Sequence, residues 1–155
     1  MKSNETLPII GWVEYVEFPD WGIRGIKCKT DTGARTSALH VENLTKKANG
    51  TIEFDVVVNR RRPFRLQRVK ATSAKRRRVR SSNGLYEIRH FITTRIRIGG
   101  WEREIEISLV SRSDMVFRML LGRKALERQL LVDPARRNLL APRLRRRKSR
   151  LNEPL

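Results

Sequence analysis

Asp31, Thr32, Gly33 and Ala34 are the residues of this chain whose types and order best suit chemistry. Hydrolysis without a metal or a covalent nucleophile needs a carboxylate held at a turn, close to a twin, so that one is ionised and the other protonated. Asp-Thr-Gly suits that task. The glycine lets a backbone pass close by or take a positive φ, and the threonine hydroxyl can bond across to the loop of another chain. The same tripeptide is also good turn chemistry, so on its own it leaves catalysis and a plain turn both open.

Other chemistries are poorly served. The chain has one cysteine, Cys28, and two widely separated histidines, His40 and His90. There is no CxxC, HExxH or His-rich tract for zinc, and no GxxxxGK[ST] loop to cradle a nucleotide phosphate. Neither a metal nor a cofactor is expected. A single Cys28 cannot form an internal disulfide, and residues 1–10 lack the pattern of a signal peptide, so a cytoplasmic location is expected. No apolar run approaches the roughly 18 residues that a membrane helix needs.

The elements that must position Asp31 read mostly as strands. Ile9 to Phe18 alternates apolar and polar residues, and Ile23 to Lys29 does the same and runs straight into Asp31. Thr51 to Asn59 is β-branched. Leu85 to Ile98 and Glu104 to Val110 flank Gly99-Gly100 and should pair as a hairpin. One helix is expected, from Arg123 to Leu130, ending before Asp133-Pro134. Trp12, Trp21, Trp101, Phe54 and Phe91 are expected to pack a core or an interface. Many short strands and one late helix indicate an all-β closed barrel or sandwich.

Charge is the strongest compositional signal. The 155 residues hold 35 Lys and Arg against 16 Asp and Glu, a formal net charge of +19. Such a surface attracts polyanions, among them nucleic acid, a ribosome or an acidic peptide. The cations cluster in Arg60 to Arg80 and again in Arg143 to Arg150. The first block reads as the least regular part of the chain, a long mobile connection, and the second as a short disordered tail.

Three ordered features make the chain resemble the retroviral aspartic peptidases. A strand runs into Asp31-Thr32-Gly33-Ala34, a turn of flap type follows at Ser81-Ser82-Asn83-Gly84, and Met119-Leu120-Leu121-Gly122-Arg123 opens the late helix. The segments DTGARTSALH, RRVRSSNG, FRMLLGR and LVDP bring a closer resemblance, covering roughly residues 8 to 140. They are similar to a bacterial retropepsin-like family often labelled an ATP-dependent zinc protease and found near, or fused to, ATP-grasp glutamate ligases. The residues themselves support neither the zinc nor the ATP of that label.

The resemblance implies an all-β, retropepsin-like closed barrel over residues 1–141 with one short C-terminal helix. About 59–80 would be a basic insertion before the flap, and 142–155 the basic tail. It implies an aspartic endopeptidase with Asp31 as the catalytic residue, active only as a homodimer, because one chain supplies one Asp-Thr-Gly. Thr32 would lock the two loops together, Ala34 would line the floor, and Ser81 to Gly84 would close over substrate. The chain departs from the retroviral pattern at Arg35, where those enzymes carry an acidic residue that pairs with the arginine after the helix glycine. Arg35 and Arg123, with Arg80 beside the flap, would then favour an acidic peptide or protein, such as one carrying a glutamate tail. Outward packing of Arg35, or pairing with Glu42 or Asp133, is the alternative. Two non-enzymatic readings also stay open: a basic module for RNA or the ribosome, and a dimeric clamp that holds a peptide without cutting it.

Overall fold

A computed structural model describes residues 6–59, 64–72, 75–80 and 83–140. Its elements are β1 (Ile9–Phe18), a 3₁₀ turn (Pro19–Trp21), β2 (Ile23–Thr30), β3 (Ser37–Lys46), β4 (Ile52–Asn59), β5 (Arg65–Ala71), β6 (Lys75–Arg80), β7 (Tyr86–Ile98), β8 (Trp101–Val110), β9 (Met119–Leu121), α1 (Arg123–Leu126) and β10 (Leu131–Arg137). The chain is mostly β, as its alternation predicts.

Six strands close into a barrel in the order β1, β2, β9, β3, β8, β7, with β7 returning to β1 through Glu17 opposite Arg97. β10 adds to the outside of β1, β6 adds to β7, and the β4–β5 hairpin hangs from β3. Alternate positions of the barrel strands turn inward: Ile92, Thr94, Ile96 and Ile98 of β7 are all buried, as are Val16 and Phe18 of β1. Phe18 stacks on Trp21 at 4.6 Å, and Trp21 meets Phe54 edge-on at 5.7 Å, which ties the barrel to β4. The expected hairpin forms, with β7 and β8 paired from His90–Leu109 to Ile98–Trp101 around Gly99-Gly100.

Two expectations are corrected. The irregular connection over Arg60 to Arg80 contains two strands: β5 pairs with β4 along its whole length, and β6 pairs with β7 from Lys75–Phe91 to Arg80–Tyr86. Long cationic side chains hide strand character, because they lie on solvent-facing positions while their backbone completes a ladder. Residues 60–63, 73–74 and the tail 142–155 lie outside the described residues. The helix expected to reach Leu130 stops at Leu126. Glu127 is already extended, and Arg128 takes φ 61°, so the chain turns back to deliver Leu130 to the core and Leu131 to the carbonyl of Pro8. Asp133-Pro134 does not terminate an element. It sits inside β10, an edge strand, where a missing N–H is tolerated.

Candidate active site

Asp31 follows the last residue of β2, whose Cys28, Lys29 and Thr30 lie parallel to Met119, Leu120 and Leu121 of β9. β9 also pairs antiparallel with Ala38 and Leu39 of β3, so this short strand fills the gap between the strand entering the Asp31 loop and the strand leaving it. The ladder continues one step further, because the Asp31 amide donates to the Leu121 carbonyl at 2.9 Å.

The loop then folds onto the Asp31 carboxylate. Oδ1 accepts hydrogen bonds from the Gly33 amide at 3.0 Å and the Ala34 amide at 3.3 Å. Gly33 has no positive φ among the described residues; what it supplies is room, since a Cβ there would lie 3.2 Å from Asp31 Oδ1. Among the described residues no donor meets Oδ2, and Asp31 is half-buried. One oxygen is thus fixed by backbone and the other is available for chemistry.

Downstream contacts hold the loop from behind. The Gly122 amide donates to Ser37 Oγ at 3.0 Å, the Arg123 amide to the Ala34 carbonyl at 2.8 Å, and the Lys124 amide to the Arg35 carbonyl at 3.0 Å. The first amides of α1, which a helix cannot satisfy internally, are therefore bonded to the loop. Gly122 is required here by close approach. A Cβ would stand 2.6 Å from the Thr36 carbonyl carbon and 2.9 Å from the Ser37 nitrogen.

The arginines take different places. Arg123 Nη1 donates to the carbonyls of Thr32 at 3.0 Å and Gly33 at 3.1 Å, so it braces the Asp31 loop. Arg35 is exposed, while Glu42 faces His40 and Asp133 pairs with Arg136. Arg80 ends β6, far along the chain in the β6–β7 hairpin, and Gly84 turns with φ 82° beside its guanidinium. Asn83 and Gly84 are exposed; Ser81 and Ser82 lie outside the described residues. The bonds that hold the Asp31 loop come from β9 and from the first residues of α1.

The remaining titratable groups of interest are structural. Among the described residues, no cluster of three His, Cys, Asp or Glu could hold a metal ion. His40 is buried, with Nδ1 accepting the Arg112 amide at 2.9 Å and Nε2 3.4 Å from Glu42. Cys28 is buried, and burial together with the Glu14 carboxylate pushes its thiol pKa up. Burial, then the charges of Arg76 and Lys46, pushes His90 down.

Some supporting residues gave no signal in the sequence. Glu14 reads as an outward position in an alternating strand, yet it is 1% exposed. Its carboxylate accepts the amides of Gly11 at 3.1 Å, Leu139 at 2.8 Å and Leu140 at 3.0 Å. Arg118 donates to the carbonyls of Val57 and Val58, joining β4 to the segment before β9. Both roles depend on distant backbone, which no local pattern reveals.

Known proteins resemble this chain in sequence and in fold. The chain is 39% identical over 132 residues to a Shewanella halifaxensis protein named "Probable alpha-L-glutamate ligase", a match covering 82% of this chain and 28% of that one. A Desulfotalea psychrophila protein of the same name is 38% identical over 141 residues, covering 87% and 30%. The chain thus spans less than a third of the length of these relatives. A crystal structure of a Legionella pneumophila protein of unknown function, of the DUF785 group, superposes with a TM-score of 0.69 at 23% identity, covering 86% of this chain and 98% of that one. That likeness shows the fold: a mostly β, closed six-strand barrel with one short helix. The model of the RimB-like family, described as retropepsin-like aspartic endopeptidase RimB, matches residues 9–143, and the chain belongs to that family.

Proposed function

We propose that this protein is an aspartic endopeptidase that works as a homodimer, each chain supplying one Asp31, and that it hydrolyses peptide bonds in acidic, glutamate-tailed proteins. The observation that carries this reading is the Asp31 carboxylate, with Oδ1 fixed by two backbone amides and Oδ2 unbonded among the described residues. A lone carboxylate is half of what metal-free hydrolysis needs. Its twin must come from a second copy.

Several features support a second copy at this face. Thr32 is exposed beside an apolar hollow of about 270 Å³ lined by Leu126, Leu130, Leu131 and Val132, and its hydroxyl has no partner among the described residues. Leu131 is 51% exposed and Ile9, opposite it on β1, 50% exposed. Apolar surface of this kind gains by burial against another chain.

In the dimer, the two Asp31 carboxyls would stand about 3 Å apart and hold one proton between them. The ionised member takes a proton from water as the water oxygen attacks the scissile carbonyl carbon. The protonated member gives its proton to the carbonyl oxygen. Collapse of the tetrahedral diol reforms the carbonyl, breaks the C–N bond and delivers a proton to the departing amine. Arg123 acts here as a positioning residue, holding the Thr32 and Gly33 carbonyls.

The acidic preference rests on the +19 net charge and on the glutamate ligase names of the longer relatives. Asp31→Asn should keep the circular dichroism spectrum and lose at least about a thousandfold in kcat/KM on peptides ending in several glutamates. Undiminished turnover in that variant would sink the assignment, and equal cleavage of neutral peptides would remove the acidic preference. The net charge also favours a second reading, a non-cutting module for RNA or the ribosome. Tight oligonucleotide binding with no peptidase activity in the wild type would identify that case.

A further inference from the structure

The β6–β7 hairpin separates its charges by face. Lys75, Arg77 and Val79 of β6 lie with Glu87, Arg89 and Phe91 of β7 on one side. There both arginines are answered: Arg77 pairs with Glu106 at 3.2 Å and lies over the Phe91 ring at 5.2 Å, and Arg89 pairs with Glu87. Arg76, Arg78 and Arg80 lie on the other side, opposite His90, Ile88 and Tyr86. That face holds no carboxylate of the hairpin, and among the described residues no ion pair reaches any of the three arginines. All three are exposed.

Among the described residues, β6 is also an end of the sheet path, paired with β7 alone. Its other edge offers backbone N–H and C=O groups to an incoming strand. We propose that this edge and its Arg76-Arg78-Arg80 row dock an extended acidic polypeptide, which adds to the sheet as a further strand. Side chains on one face of a strand repeat every ~6.7 Å. Carboxylates on alternate residues of an added strand would therefore face the three arginines one for one, the geometry in which opposite charges across a ladder attract. The row lies on the β6–β7 hairpin and not on the Asp31 loop.

Two observations favour a polypeptide over a nucleic acid. A nucleic acid has no backbone amides to pair with a free strand edge. One face of the Tyr86 ring is already taken, since the Arg78 guanidinium lies 4.2 Å from its centroid, where a base would otherwise stack. A cationic edge also discourages pairing between two copies of this chain, yet admits an acidic strand.

The site rests on the acidic-substrate reading above and is tested apart from catalysis. In the full chain carrying Asp31→Asn, fluorescein-labelled deca-glutamate is titrated by anisotropy. Arg76→Ser with Arg78→Ser should weaken binding about tenfold. Arg77→Ser with Arg89→Ser removes the same charge from the opposite face and should change it less than about twofold. Hydrogen exchange should slow at the amides of residues 75–80 when peptide is added. Equal losses from the two pairs, unchanged exchange, or displacement of the peptide by a lower concentration of oligouridine would each overturn the proposal. Hydrolysis of the same peptide by the wild type is read separately. Arg78-dependent binding without cleavage would defeat the peptidase and keep the dock, and cleavage with no Arg78 dependence would do the reverse.

Discussion

The Asp31 loop and the β6–β7 hairpin carry polar groups in opposite states of completion. In the loop, the Asp31, Gly33 and Ala34 amides, the Thr32, Gly33, Ala34 and Arg35 carbonyls and one carboxylate oxygen all have partners within the chain. Among the described residues, the Oδ2 oxygen and the Thr32 hydroxyl are left over. In the hairpin, Glu87 and Glu106 pair with two cations of one face, and the other face leaves a row of three guanidinium groups with no ion pair among the described residues. A group that must meet a reacting atom within a fraction of an ångström needs such prior fixing. A surface that recognises charge can wait for its ligand to complete it. The loop is built to be rigid, the hairpin to be filled.

The comparison breaks most readily at Gly122. Gly122→Ala pushes a Cβ to within 2.6 Å of the Thr36 backbone, and neither segment can yield without dislodging the loop. It should cost about 3 kcal/mol or more by urea denaturation. A smaller effect is expected from Arg123→Gln, which removes the brace on the Thr32 and Gly33 carbonyls. This should cost about 1–2 kcal/mol and reduce kcat more than it raises KM. Arg123→Lys, which can keep one of the bonds, should recover part of both.

The smallest effect belongs to the hairpin and sharpens the contrast. Burial and the neighbouring charges of Arg76 and Lys46 depress the His90 pKa in the folded chain. The unfolded chain therefore takes up more protons as pH falls through about 6.5. Its contribution to stability is present above that pH and lost below it. His90→Asn should flatten the acid side of the stability curve slightly, measured as urea midpoints at pH values on either side of about 6.5. A steeper acid loss in the variant would reverse that sign and refute the linkage.

Much of the frame was legible without coordinates. Ile9–Phe18 is a strand over the expected residues, Tyr86–Ile98 and Trp101–Val110 form the expected hairpin, and Asp31 follows β2 as its alternation predicts. Ser37–Lys46 escaped because its burial is not alternating: Leu39, His40 and Val41 are all buried between β8, β9 and β4. β6 escaped because arginine obscures strand propensity. The helix stops short of Leu130 because the chain reaches both core positions, Leu126 and Leu130, with a sharp turn at Arg128, although the two leucines share a helical face in the sequence.

Sequence alone thus determined the period-2 strands, the net charge and the order of Asp31, Ser81-Ser82-Asn83-Gly84 and Gly122, because each is a property of neighbouring residues or of simple counts. Only the tertiary structure decided that Arg123 braces the Asp31 loop, that β9 fills the gap between β2 and β3, that Glu14 receives the amides of Leu139 and Leu140, and that the arginines of β6 divide into a face with an ion pair and a face with none among the described residues. Each of these depends on segments brought together from far apart in the chain, and a backbone carbonyl or amide carries no mark in the sequence of the partner it will find.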